Sequence, residues 1–363
     1  MDTRRARSAG VAVVAGVLGV ALAAPAGPVD ASTHSTYRQH NLVSDVPGRA
    51  QVTDPNLVNA WGASYSPTSP LWVSDNGKDV TTLYAGGIHG GPQTINSLVV
   101  NIPGGAPTGQ VFNPTSSFVV HGADGSSGPA AFLFVGESGN LTGWNPNVPP
   151  PAPSHDAQVA VPTPGAVDKG LAIGGPADNP MLYAADFSAG TVDVYNGMFQ
   201  RVITAGNFED DQLPAHYAPF NVAVLKNKVY VSFARQNGED ELDGPGLGRV
   251  DIFTLDGRLV RRLGAHQVLN APWGMTIAPA GFGEFTGDLL VGNFGDGRIH
   301  AFDPTTLALR GTVRRGNGQP VSISGLWALL PGNGVEGGTD EVIFTAGPGD
   351  ESHGLLGTLS LRH

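Results

Sequence analysis

The chain has 363 residues, and its 52 Gly and 29 Pro are nearly twice the roughly 12% that these two types supply in average proteins. That density of helix breakers excludes a helical bundle, while 40% hydrophobic against 14% charged residues excludes disorder and a coiled coil. The absence of Cys rules out disulfides, thiolate metal sites and Cys nucleophiles, and a net charge of −11 argues against nucleic acid, which needs a positive face.

The chain opens on Arg4, Arg5 and Arg7, then a 14-residue apolar run from Val11 to Ala24, then small residues. This pattern is that of a secretory signal peptide over residues 1–31, cleaved near Ala26 or Ala31. The apolar run is short of the roughly 20 residues that a helix needs to span a bilayer. Export by the general or the twin-arginine route stays open, because Arg7 stands where the latter prefers a large apolar residue. No second hydrophobic segment follows, so residues 32–363 are expected to be a secreted, soluble monomer without a membrane span.

Beyond the leader, one pattern recurs six times: a β-branched or aromatic strand, a polar or Gly-rich turn, and a second alternating strand. The copies begin at Leu71, Phe134, Tyr183, Tyr230, Leu290 and Ile343. Taking Val73, Val135, Ala184, Val231, Val291 and Phe344 as equivalent, they lie 47 to 62 residues apart, a period near 54. That period suits one four-stranded propeller blade with its loops. A short strand precedes each copy: Asn59–Gly62, Gly128–Ala131, Lys169–Ala172, Pro219–Val222, Ala271–Gly274 and Ser324–Trp327. Hairpin turns follow at Asn196-Gly197 and Asp256-Gly257. The last copy supplies only three strands, and Gln39–Ser44 is free to complete it. The expected fold is all-β, a single six-bladed β-propeller whose last blade is closed by an N-terminal strand. Closure removes the exposed sheet edges that an open array would leave. The Pro-rich stretch from Asn147 to Pro153 is expected to form polyproline II.

Several phrases are similar to a known group. Asn59-Ala-Trp-Gly62 with Trp72-Val-Ser-Asp-Asn-Gly77 resembles a family of secreted bacterial propellers related to NHL repeats. So do Ala271–Pro279 with Gly287–Gly297, and the ending Gly325–Leu329, Thr345–Pro348 and Glu351–Gly354. The resemblance covers residues 38–361; it implies the fold and export, and carries no activity with it.

Candidate chemistry comes from the ends of strands. Antiparallel neighbours bring the start of an inner strand and the end of the next onto one face. Asn59, Lys169, Asn221 and Asn270 stand at or near inner-strand starts, and Asp75, Glu137, Asp186 and Asn293 at the ends of second strands. Asn59, Asn221 and Asn270 are therefore candidate ligand-binding residues. Asp75, Glu137, Asp186 and Asn293 are candidate ligands for one divalent cation, Ca or Mg, at the channel mouth. Gluconolactonase-type propellers offer the fold analogy for such a metal. The competing structural role is turn capping, in which each Asp or Asn bonds nearby backbone N–H groups. Glu351 and His353 are an acid/base pair, a metal half-site, or pegs for the closing strand.

The acidic patches Glu209-Asp210-Asp211 and Glu239-Asp240-Glu241 are read as solvated loop charge, with calcium coordination the competing reading. The five Trp are assigned to packing, with Trp144 the one expected to be exposed. Gly332-Asn-Gly-Val-Glu-Gly337 matches a dinucleotide fingerprint only formally, since it precedes a strand rather than a helix. Two functions follow. The first is an exported platform that binds a small molecule, glycan or protein at the channel face. The second is a divalent-metal-dependent lactonase, hydrolase or lyase built on the four candidate ligands. A purely structural envelope protein stays open as a third class, and composition and spacing leave open whether the chain is an enzyme.

Overall fold

Six sheets succeed one another along the chain, each adding strands outward from a central channel. A computed structural model describes residues 34–362, and the propeller occupies the unit that begins at Ser35. The expected leader, residues 1–31, lies outside the described residues. The innermost strands are Ala60–Ser64, Pro107–Phe112, Asp168–Gly174, Tyr217–Leu225, Pro272–Ile277 and Leu326–Pro331, and they head blades one to six.

Burial explains why each blade has its sequence pattern. Second strands such as Leu71–Asp75, Phe132–Gly136, Leu289–Asn293 and Val342–Ala346 are buried at every position. They lie between neighbouring blades, so both of their faces want apolar side chains. Outer strands such as Leu259–Arg262 are largely exposed and carry the polar residues.

Inner strands crowd the axis and must be narrow. A Cβ on Gly62 would collide with the Thr108 carbonyl of the next blade, and one on Gly109 would strike the Leu171 amide of blade three. Gly109→Ala is therefore expected to cost about 1–3 kcal/mol of stability, measured by urea unfolding.

The ring closes as the strand count requires. Tyr37–Ser44 pairs antiparallel with the last strand, Leu355–Leu361, from Tyr37 opposite Leu361 to Ser44 opposite Leu355. Side chains secure the junction: Ser44 Oγ donates to the Gly354 carbonyl at 2.8 Å, and Gly354 N–H to Asp45 Oδ1 at 2.9 Å.

Two expectations are corrected. The inner strand of blade two is Pro107–Phe112, not Gly128–Ala131. Ser127–Pro129 instead pairs with Val119–His121 in a small separate hairpin. That insertion accounts for the longest spacing between copies. The Pro-rich stretch is a series of bends, not polyproline II: Asn145 bridges back to Val148, whose side chain is buried with Phe118 and Leu133.

Candidate functional site

The mouth of the channel carries a connected set of polar side chains from five blades. Asn59 precedes the first inner strand, Asn76 and Glu137 follow the second strands of blades one and two, and Lys169 lies in the inner strand of blade three. Asp240 and Glu241 come from a short strand, Asp240–Leu242, folded back on blade four, and Glu351 from the loop before the last strand, Leu355–Leu361.

Lys169 is the hub. Its side chain is only 1% exposed, and Nζ lies 2.8 Å from Glu137 Oε1, 3.4 Å from Asp240 Oδ1 and 3.9 Å from Glu241 Oε2. The ammonium also sits 5.3 Å from the Trp61 ring centroid and 5.6 Å from that of Phe187, within cation–π range. From Glu137 the network runs on through amides. Asn76 Nδ2 donates to Glu137 Oε2 at 3.0 Å, and Asn59 Nδ2 to Asn76 Oδ1 at 3.1 Å and Glu351 Oε2 at 2.6 Å. Trp327 Nε1 donates to Asn59 Oδ1 at 2.9 Å, which fixes the amide's orientation.

Below this layer the channel is plugged. The Trp61 and Trp327 rings stack with centroids 3.7 Å apart, flanked by Phe294, Trp273 and Phe220. On the far side of the plug a cavity of about 430 Å³ is lined mainly by apolar residues, among them Ala63, Leu171, Val222, Met275 and Leu329.

The electrostatics follow from one cation among four carboxylates. Burial by itself lowers the Lys169 pKa, but Glu137, Glu241 and Asp240 outweigh it and hold the amine above its ordinary value. Lys169 is thus a fixed cation rather than an amine nucleophile. Burial pushes Glu241 up to about 7 despite the attraction of Lys169. Glu351 is raised too, by burial first, with the Asn59 bond and Lys169 opposing. The mouth therefore offers acceptor oxygens in excess, and one of its carboxyls, that of Glu241, is able to exchange protons near neutrality.

The residues expected at the mouth divide into two sets. Asn59, Glu137 and Lys169 meet there, joined by Glu351, which was not expected at the mouth. Asp75 is fully buried inside blade one, where Thr82 Oγ1 donates to it at 2.7 Å, in a network with Tyr84 and Asp54. Asp186 caps its own turn, accepting from Ser188 Oγ at 2.9 Å and Ala189 N–H at 3.0 Å. Asn293 donates to the Val268 carbonyl and to Asp296. The four expected cation ligands thus stay in separate local networks. Among the described residues, no group of three or more His, Asp or Glu is placed to hold a metal ion. Asn221 ties blades four and five by donating to the Trp273 carbonyl, and Asn270 accepts from Gly244 N–H.

Glu351 and His353 part company. His353 Nδ1 lies 2.8 Å from Asp45 Oδ2, on the segment after the closing strand, so it pegs the junction. His353→Ala is expected to lower stability by at most about 1 kcal/mol, because the imidazole is half exposed. The check is a melting curve alongside a ligand titration, with binding at the mouth unchanged.

Sequence reasoning missed the surroundings of four residues. Glu241 is buried against Lys169 rather than solvated, and Asp210 is held by Arg262. Asn76 was passed over, although it follows Asp75 in the same turn. Trp144 is buried, its ring tilted against Trp72 with centroids 4.7 Å apart, and donates from Nε1 to the Ser154 carbonyl at 2.9 Å.

Six blades around a plugged channel, closed by an N-terminal strand, make this a six-bladed β-propeller. Among solved structures, the PQQ-bound aldose sugar dehydrogenase of Streptomyces coelicolor is similar at a TM-score of 0.50 and 12% identity, covering 91% of this chain and 99% of that one. At that identity the likeness is one of fold. No family model matches. Two uncharacterised proteins of Acanthamoeba polyphaga mimivirus, R648 and L690, are each 33% identical to it. The matches cover 92% and 90% of this chain and 82% and 86% of theirs. The chain belongs to the family that these two proteins represent.

Proposed function

We propose that the protein is an exported binding propeller whose channel mouth takes a small ligand rich in hydrogen-bond donors, such as the hydroxyl or ammonium groups of a sugar or amino sugar. One observation carries this reading: the continuous Lys169–Glu137–Asn76–Asn59–Glu351 network, rigid from below and supplying acceptors above. The Trp61–Trp327 stack and the buried Lys169 hold these groups in place before any ligand arrives, so little ordering cost is left for binding. Export, and kinship with secreted bacterial NHL-type propellers, belong to the same proposal and rest on the leader and the quoted phrases.

The test is calorimetric titration with a panel of neutral and amino mono- and disaccharides. Binding with one site per chain is expected, weakened about tenfold or more by Glu351→Gln or Asp240→Asn. Absence of binding across the panel, or affinity indifferent to both substitutions, would overturn it. Export is checked separately, by mass spectrometry of the protein's N-terminus in culture medium: a start just after residue 26 or 31 is expected.

A further inference from the structure

Five blades carry a fourth strand, and blade three stops at three. Its outermost strand is Thr191–Asn196. The chain turns back at Asn196-Gly197 only far enough for Tyr195 to bridge Arg201 and for Val202 N–H to donate to the Val194 carbonyl at 2.7 Å. It then leaves the edge. Among the described residues, no strand pairs with the outer side of Thr191–Asp193.

The direction of the free groups follows from the ladder. Val194 C=O and Asn196 N–H point outward, toward the turn segment. Alternation by two then places the Val192 N–H and C=O outward as well. A cleft of about 1190 Å³ runs beside this edge, with Val192, Phe208 and Phe233 among its walls. Ile203 and Met198, which flank the missing strand, are 91% and 72% exposed, more than any other large hydrophobic residue among those described. Around the cleft, Asp193, Glu209, Asp210 and Asp211 face only two guanidinium groups, those of Arg201 and Arg262.

We propose that this edge is a peptide-binding site, and that an extended segment of a partner protein adds to blade three as its fourth strand. The unpaired backbone groups would supply the ladder hydrogen bonds. The exposed Ile203 and Met198 would receive apolar side chains of the segment, Val192 offers its backbone groups while its side chain stays in the core, and the acidic rim favours a segment with basic residues at its ends. An edge of this kind invites pairing unless something covers it, and neither charge nor proline guards Val192 itself. The site is separate from the channel mouth and does not depend on what binds there.

The test is fluorescence anisotropy with a labelled seven-residue peptide that alternates Val and Thr between terminal Lys residues, capped at both ends. Saturable binding is expected. Val192→Pro removes the outward N–H and leaves the inner ladder's donors in place; it should weaken binding about tenfold or more in protein that still unfolds cooperatively, at a lower melting temperature because the Val192 side chain packs in the core. Ile203→Lys should weaken it too, without altering the backbone. Should Val192→Pro fail to fold, a peptide N-methylated along one edge gives the same test on the wild-type protein, and loss of binding is expected for only one of its two edges. No binding, or binding indifferent to these changes, overturns the proposal. So does self-association of the wild type that Val192→Pro abolishes, because the occupant would then be a second copy.

Discussion

Lys169→Met is expected to be the most damaging single substitution, with a loss of about 3–5 kcal/mol in urea unfolding, because it leaves carboxylates packed together without their cation. Glu137 and the buried Glu241 would face one another above the aromatic plug, with the solvent-exposed Asp240 beside them. Adding Glu137→Gln to Lys169→Met should return about 1–2 kcal/mol, since one of the stranded charges is then gone. Lys169→Arg separates charge from shape, because a planar fork does not fit the space of a compact ammonium. It should fold yet bind ligand less well. A loss below about 1 kcal/mol for Lys169→Met would show that the cluster is solvated in solution and not the tight layer described.

The second large effect is on pH. Burial pushes Asp168, Asp251 and Glu336 each up to about 8, with Asp186, Asp210 and Glu341 respectively adding repulsion. Glu336 shows the cause most simply. It is fully buried at the seam between blades six and one, where Gln93 Nε2 donates to Oε2 at 3.0 Å and Oε1 has no partner. A carboxyl so placed stays protonated.

For each of the three, the folded state binds protons more tightly than the unfolded chain. Their stabilisation is complete below the ordinary carboxylate range and is lost as pH rises through about 8. Asp210 works in the opposite sense: hydrogen bonding to Arg262 holds it down at about 2, so its contribution is lost only in strong acid. The melting temperature should therefore climb as pH falls from about 9 to about 5, then drop below about 4. Glu336→Gln should flatten part of the alkaline arm and gain about 2 kcal/mol or more at pH 9. An alkaline arm unchanged by that variant would mean that water reaches the seam.

The architecture was legible because it rests on local signals repeated six times. Strands buried on both faces read as β-branched and aromatic runs, and Gln39–Ser44 was the unassigned strand that matched the missing fourth of blade six. Blade two misled because an insertion, Asn113 to Ala131, separates its inner strand from its second. The Gly128-Pro-Ala-Ala131 phrase then took the expected place of Pro107–Phe112. The short turn at Asn196-Gly197 gave no sign that blade three would stop at three strands, because the turn itself does form.

At the mouth, position along the blade was not enough. Asp75, Glu137, Asp186 and Asn293 occupy equivalent places, yet only Glu137 faces the channel. Asp75 finds Thr82 beside it, and Asp186 finds the amides of its own turn, as short side chains next to backbone N–H groups do. Glutamate is one methylene longer and reaches past its turn to Lys169, 32 residues on. That pairing crosses from blade two to blade three, so no local pattern announces it. The same holds for Glu241, whose burial depends on a two-strand excursion, Lys228–Asn237 with Asp240–Leu242, folding over Lys169.

The central claim, that the mouth around Lys169 is the ligand site, is tested most directly by titrating the sugar panel into three proteins in parallel. These are the wild type, Glu351→Gln at the mouth, and Ala223→Phe in the cavity beyond the aromatic plug. Binding to the wild type, retention in Ala223→Phe and a loss of about tenfold or more in Glu351→Gln is the predicted result. Binding that survives Glu351→Gln and disappears in Ala223→Phe would contradict the account and move the site to the other end of the channel.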